Sequence, residues 1–186
     1  MKWLRYGALT LVGLIVLAVL VLLALGMRKD AGQIAGSIEI ARPPQDVWIW
    51  VTEPEKLKSW VGWLVEVRRL TPPPDGVGSK AMWVMEDRNN NNERVEVTDE
   101  VVEYDPPRRL KVRLSSAMGF DGEGLFMLTD LGNGRTRFEE VGEYRFQHWL
   151  AKLFLPLIMH SARTKAVEDL QRLKSKIEES PAIGIR

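Results

Sequence analysis

Glu140 is the residue in this chain that most invites chemistry. In the run from 137 to 146, Phe138, Glu140, Gly142, Tyr144 and Phe146 alternate onto one face, while Arg137, Glu139, Glu143 and Arg145 take the other. A carboxylate on the aromatic face of a half-buried strand loses its hydration. Without a partner its pKa rises until it can serve as a general acid or hydrogen-bond a ligand. Asp99, between Val97 and Val101, repeats the pattern on another alternating run. With the Tyr144 phenol to hold an oxygen, Glu140 and Asp99 are the candidate proton-moving residues. A plainer reading stands beside this one. A β-bulge that turns Glu140 outward, or a salt bridge to a nearby arginine, would leave an ordinary structural carboxylate.

Other chemistries find less support. The chain has no cysteine, which removes disulfides, thiolate ligands and a cysteine nucleophile. Its two histidines, His148 and His160, lie twelve residues apart with no acidic residue at ligand spacing, so no metal site is expected. Proton exchange between His160 and Glu140 is one option, and a packed or surface histidine is the default. Ser161 follows His160 without the strand-turn-helix setting of a nucleophile elbow. The stretch from Gly119 to Gly124 looks like a phosphate loop, but no helix follows it, so it reads as a turn. No cofactor is called for. A net charge of +1, from 26 basic and 25 acidic residues, offers no field for nucleic acid.

These residues need a scaffold, and the alternation supplies one. Ile34, Ile38 and Ile40 mark a first strand that Pro43 and Pro44 stop. Two short helices follow, with Val47, Trp48 and Val51 on one and Leu57, Trp60 and Val61 on the next, broken apart at Glu53-Pro54. Six more strands are predicted over 64–70, 80–88, 93–104, 110–115, 125–131 and 135–146, joined by hairpin-length turns that include the asparagines at 89–92. From about 148 to 179 the period becomes helical. Leu155, Met159, Ala162, Ala166, Leu170, Leu173 and Ile177 form one face, with a kink or a later start expected at Pro156. The predicted class is α+β, a seven-stranded antiparallel sheet wrapped around a long C-terminal helix, with two short helices after strand 1. One helix covers only part of such a sheet, which leaves room for a cavity.

Ahead of this lies an uncharged apolar run, 8–27, of twenty residues. As a helix it would reach about 30 Å, the hydrocarbon thickness of a bilayer. A cleaved signal peptide would have a shorter core and small residues where Arg28 and Lys29 stand, so a retained transmembrane helix is expected. The expected organisation is a tail and anchor over 1–29, a connector over 30–36, a domain over 37–180 and a tail over 181–186. Lys2 and Arg5 oppose Arg28 and Lys29 almost evenly, and the short basic tail tips the domain to the extracytoplasmic side of a single-pass cell-membrane protein. Residues 149–159, WLAKLFLPLIM, are apolar nearly all round. Either this end of the helix is sandwiched between sheet and loops, or it forms part of a portal at the bilayer, with Trp60 and Trp63 at the same mouth.

Four segments in order, IARPPQDVWIWVTEPEKLKSW, VVEYDPPRRLKVRL, LTDLGNGRTRFEE and AVEDLQRLKSKIEE, carry a family likeness. From about Ile38 to Ile177 the chain resembles the START-like, or SRPBCC, superfamily of polyketide-cyclase-like proteins. That resemblance implies a helix-grip fold and a tendency to hold an apolar or amphipathic small molecule. It implies no particular reaction, since the superfamily spans lipid carriers, receptors, cyclases and chaperone-ATPase activators. Three functions follow as expectations. The first is a membrane-anchored domain that sequesters a lipid, quinone or isoprenoid, with Trp48, Trp60, Trp83, Phe126, Phe138, Tyr144, Leu155 and Met159 lining the cavity. The second is a cyclase- or isomerase-type enzyme using Glu140 or Asp99. The third is a protein-interaction module with an unknown partner, favoured if the cavity is filled and an apolar patch is exposed.

Overall fold

The computed structural model describes residues 2–27, 32–87 and 92–181. Element order is α1 (Lys2–Gly26), β1 (Gln33–Ile40), α2 (Pro44–Thr52), α3 (Pro54–Trp60), β2 (Leu64–Arg69), β3 (Lys80–Asp87), β4 (Glu93–Asp105), β5 (Arg109–Ser116), β6 (Phe120–Gly132), β7 (Arg135–Phe146) and α4 (Trp149–Glu179). All seven strands join one antiparallel sheet in the order β1-β7-β6-β5-β4-β3-β2. Only β1 crosses over, pairing with β7, and the two short helices span the gap from β1 to the far edge at β2. This is the helix-grip arrangement, preceded by one apolar helix.

Local chemistry explains the boundaries. Pro43 takes the N-cap of α2 in extended conformation and Pro44 the first turn, where a missing N–H costs nothing. Glu53 ends α2 and caps α3, with Pro54 again at the start. The turn after β6 places Gly132, Asn133 and Gly134 at positive φ, at +75°, +53° and +66°. At the β3–β4 hairpin Asn92 has φ +56°, while residues 89–91 of the expected asparagine tip lie outside the described residues. Arg28 and Lys29, which bear on anchor orientation, also lie outside them.

The core forms where the concave face of the sheet meets α2, α3 and the C-terminal half of α4. Ile40, Val47, Val97, Phe138 and Leu173 are fully enclosed there. Burying side chains of this size contributes roughly 1.5–3 kcal/mol each. Phe126 stacks on Phe138 at 5.9 Å, and Trp60 meets Phe138 edge-on at 6.4 Å.

Two expectations require correction. The stretch from Phe120 to Gly124 belongs to β6 rather than to a turn; the turn lies before it, with Gly119 at φ +80°. Its glycines are there for close approach. Gly122 faces Tyr144 across the ladder, and a Cβ on it would stand 2.5 Å from the Glu143 carbonyl and 3.0 Å from the Tyr144 ring. Helix α4 starts at Trp149 and runs unbroken through Pro156. His148 makes that early start possible, because its Nδ1 accepts the Leu150 N–H at 3.3 Å as a helix cap.

Candidate functional site

A half-open cavity of about 90 Å³ lies between α2, α3 and strands β2 to β6. Its floor is apolar: Val51, Leu57, Trp83, Val112 and Phe126. Its rim is polar, formed by Arg69, Thr71, Asp75, Ser79 and Lys80. Arg69 and Asp75 pair there as exposed ions. Thr71 Oγ1 accepts the Lys80 N–H at 2.9 Å and so ties the β2–β3 loop to β3. The volume admits a small group or a few waters, well below the ~300 Å³ of a typical ligand pocket. A larger ligand therefore requires the lining to open.

Asp99 is the buried carboxyl on the cavity wall. It is 7 % exposed, and burial alone pushes its carboxyl up to about 7. Alternation along β4 dictates this placement: Val97, Asp99 and Val101 point to the concave side, and the register break follows at Val101/Glu103. A neutral carboxyl here donates one hydrogen bond and accepts another beside an apolar floor.

A second acidic cluster lies elsewhere, where β7 meets α4. β7 runs through Glu140 in unbroken register with β6 from Phe120 to Asp130, so no bulge turns it outward. Burial, and then the charge of Asp169 on α4, push its carboxyl up to about 7; no arginine contributes. Tyr144 shares this face, its phenol pushed up to about 12 by burial and by Glu140. Asp169 Oδ1 accepts from the Gly62 N–H at 3.1 Å and from Arg172 Nη1 at 2.6 Å, while the same Nη1 donates to the Trp60 carbonyl at 2.6 Å. This knot binds α4 to the turn after α3. Burial raises the Asp169 carboxyl, against the lowering effect of these two donors.

The predicted site residues separate into groups. Trp83, Phe126 and Asp99 line the cavity. Trp48, Trp60 and Phe138 are buried in the core behind it, Trp60 with its Nε1 donating to the Trp50 carbonyl at 2.9 Å. Tyr144 stands with Glu140 at the α4 side, Met159 is enclosed on α4, and Leu155 is half-buried there. No residue of α4 lines the cavity. His160 is exposed, and Trp63 carries the Lys165 ammonium over its ring at 4.1 Å. Sequence reasoning passed over Asp169 and Arg172. The signal was an acid placed next to Leu170 within the apolar stripe of α4, with its cation three residues on. No cluster of metal-ligating side chains occurs among the described residues.

A sequence model described as polyketide cyclase/dehydrase and lipid transport matches residues 31–178. The chain belongs to that polyketide cyclase/dehydrase and lipid transport family. Among curated proteins, none matches the sequence. Solved structures share its fold at low identity. The Zhui aromatase/cyclase of Streptomyces sp. R1128 is 14 % identical with a TM-score of 0.66, over 82 % of this chain and 98 % of that one. A Thermus thermophilus protein is 17 % identical with a TM-score of 0.65, over 78 % of this chain and 96 % of that one. A conserved Geobacillus kaustophilus protein is 16 % identical with a TM-score of 0.64, over 80 % and 96 %. Each of these structures is covered almost whole, and α1 precedes residues 31–178, which match the family model.

Proposed function

We propose that this family member is a membrane-tethered domain that binds a hydrophobic small molecule, a lipid, quinone or isoprenoid, as carrier or sensor. The observation that carries the reading is the cavity itself: an apolar floor of Trp83, Val112 and Phe126 with a buried carboxyl, Asp99, on its wall. An amphipathic molecule would place its apolar body on that floor, gaining about 25 cal/mol per Å² removed from water. Its oxygen would meet the neutral Asp99 carboxyl. Family membership supports the same class of ligand. Residues 1–29 would act as the tether, and the expected connector over 30–36 would be shorter, since β1 already pairs with β7 from Gln33; the domain that follows would bind the ligand on the extracytoplasmic side of the cell membrane. Helix α1 supports the tether, since Tyr6–Gly26 is long and apolar enough to cross a bilayer and none of its apolar stretch is enclosed by the protein.

Purification of the full chain in detergent, solvent extraction and mass spectrometry test the reading. A stoichiometric apolar molecule is expected, and it should be lost in Ala81→Phe, which fills the cavity from β3. An empty protein that also leaves an apolar fluorescent probe free would overturn it.

A second reading, an enzyme of cyclase or isomerase type, draws on the same carboxyl. Asp99 stands inside the cavity, whereas Glu140 and Tyr144 lie outside its lining. Asp99 is therefore the group that would move a proton. Asp99→Asn would then retain the extracted molecule but abolish its conversion.

A further inference from the structure

Helix α4 changes character halfway along its outer line. Its core side is set by Ala162, Leu170, Leu173 and Ile177. Away from it, Leu150, Phe154 and Leu157 follow at i, i+4 and i+7, a stripe at helical spacing that Ile158 widens on the flank toward Ala162. All four are exposed, Phe154 to 45 % and Leu157 to 58 %, and Trp149 beside them to 66 %. Carried further along the same line, the stripe meets Ser161, Glu168, Ser175 and Glu179, all exposed. Leu157 and Ser175 are five full turns apart on one line, and only the first is apolar. A helix turned wholly toward water has no reason to alter its outer surface in this way.

The position of α1 indicates what covers the apolar half. Pro156 lacks the N–H that would bond the Lys152 carbonyl, so that oxygen is left without its helical donor. Gly26, the last residue of α1, packs onto it: a Cβ at Gly26 would stand 3.1 Å from the Lys152 oxygen and 4.0 Å from Pro156 Cδ. The end of the membrane-crossing helix and the second turn of α4 are thus in direct contact. The strand side closes the same corner, since the Gly32 carbonyl accepts the Tyr144 N–H at 2.9 Å. Five residues from Met27 to Gly32 reach at most about 17 Å, so β1 begins within that distance of the end of α1. Charge agrees. From Tyr144 to Val167 the chain carries Arg145, Lys152, Arg163 and Lys165 and no carboxylate. Cations near an apolar stripe suit the headgroup layer of an anionic membrane.

We infer that the first three turns of α4 form a second membrane contact, lying in the lipid interface beside α1 with the stripe Leu150–Phe154–Leu157–Ile158 turned into the acyl boundary and Trp149 at headgroup level. The domain is then fixed in orientation as well as tethered. The inference rests on α1 being a retained span and is independent of what the cavity binds.

The absence of native cysteine makes the test direct. Single nitroxide labels are placed at Leu157→Cys, Ser175→Cys and Leu14→Cys in the full chain, reconstituted in phosphatidylcholine vesicles with a minority of phosphatidylglycerol. Collision with dissolved oxygen is compared with collision with a water-soluble nickel chelate. The expected oxygen-to-nickel ratio is several-fold higher at 157 than at 175 and approaches that at 14. A label at 157 as wet as the one at 175, with 14 in lipid, overturns the contact and leaves the tether standing. A label at 157 shielded from both reagents also overturns it, assigning the stripe to a second copy or another protein. A wet label at 14 removes tether and contact together, while extraction of ligand still tests the cavity. Phe154→Cys repeats the measurement at a neighbouring exposed position, so that a local packing defect at 157 does not decide the result.

Discussion

The Tyr144 ring lies flat across Gly142: a Cβ on that glycine would stand 2.7 Å from the phenol oxygen and 2.8 Å from Cε2. Gly142 pairs with Gly124 and Tyr144 with Gly122 across the ladder, so on the β6 side the floor beside the ring carries no side chains. This is why a large aromatic can fold back along β7 toward Glu140. Gly142→Ala should therefore cost about 1–3 kcal/mol by forcing the ring out of its place. In a Tyr144→Ala background the same change should cost far less, because the clash partner is gone. Thermal melting of the four proteins checks this. Additive losses would mean that Gly142 is needed for some reason other than the ring.

The Asp169 knot gives a second prediction. Asp169→Ala leaves the Gly62 N–H without its acceptor and Arg172 without its carboxylate, at an expected cost of about 1–3 kcal/mol. Asp169→Asn keeps an acceptor for Gly62 but removes the charge near Glu140. Since that charge is one of the two influences raising Glu140, its titration should move to lower pH in the asparagine variant. Carboxyl carbon NMR of labelled protein reads the shift. An unmoved Glu140 would show that the two acids do not sense each other.

Much of this was legible in the sequence, and the reason is periodic. Alternation and hairpin turns specify an antiparallel sheet because each strand has one wet and one dry face, and Pro43-Pro44 and Glu53-Pro54 punctuate the short helices unambiguously. The inward setting of Glu140 and Asp99 followed from the same parity. What periodicity does not carry is where space remains. Trp48, Trp60, Trp83 and Phe138 read alike on paper, yet Trp83 borders the cavity and the others fill the core. That depends on how α2 and α3 seat on the sheet. The glycines of β6 mislead for a related reason: a residue kept small by a ring on the neighbouring strand looks, in one dimension, like a turn.

Stability should fall as pH rises from about 5 to 7. Asp99 and Glu140, each pushed up to about 7, keep protons in the folded state that the unfolded chain releases near its ordinary carboxyl values. The stabilisation is complete below those ordinary values and is lost as pH climbs through the folded ones. A tenfold change in proton affinity is worth about 1.4 kcal/mol, so the two groups together amount to a few kcal/mol across the window. Melting of the full chain in a nonionic detergent, at intervals between about pH 5 and about pH 8, should show this decline, shallower in Asp99→Asn. A melting temperature that rises over this range would show that both acids are ionised in the fold.

The cavity gives the last prediction. At about 90 Å³ it is smaller than any lipid, so binding of one would have to displace part of its lining, and Trp83 is the bulkiest side chain in that wall. Trp83 is only half-buried and stands on β3 near the β2 edge of the sheet, whereas Phe126 is locked by its stack on Phe138. The tryptophan is therefore the part of the wall expected to yield. Trp83→Leu should enlarge the space, lower stability by about 1–2 kcal/mol for the lost contacts, and tighten binding of an apolar fluorescent probe, because displacement of the ring no longer opposes it. Phe126→Leu should lower stability by a similar or greater amount without the gain in probe affinity. Probe titration and thermal melting on the same samples separate the two. If both variants tighten binding equally, the opening runs through the centre of the cavity floor, and the β2–β3 edge is not the entrance.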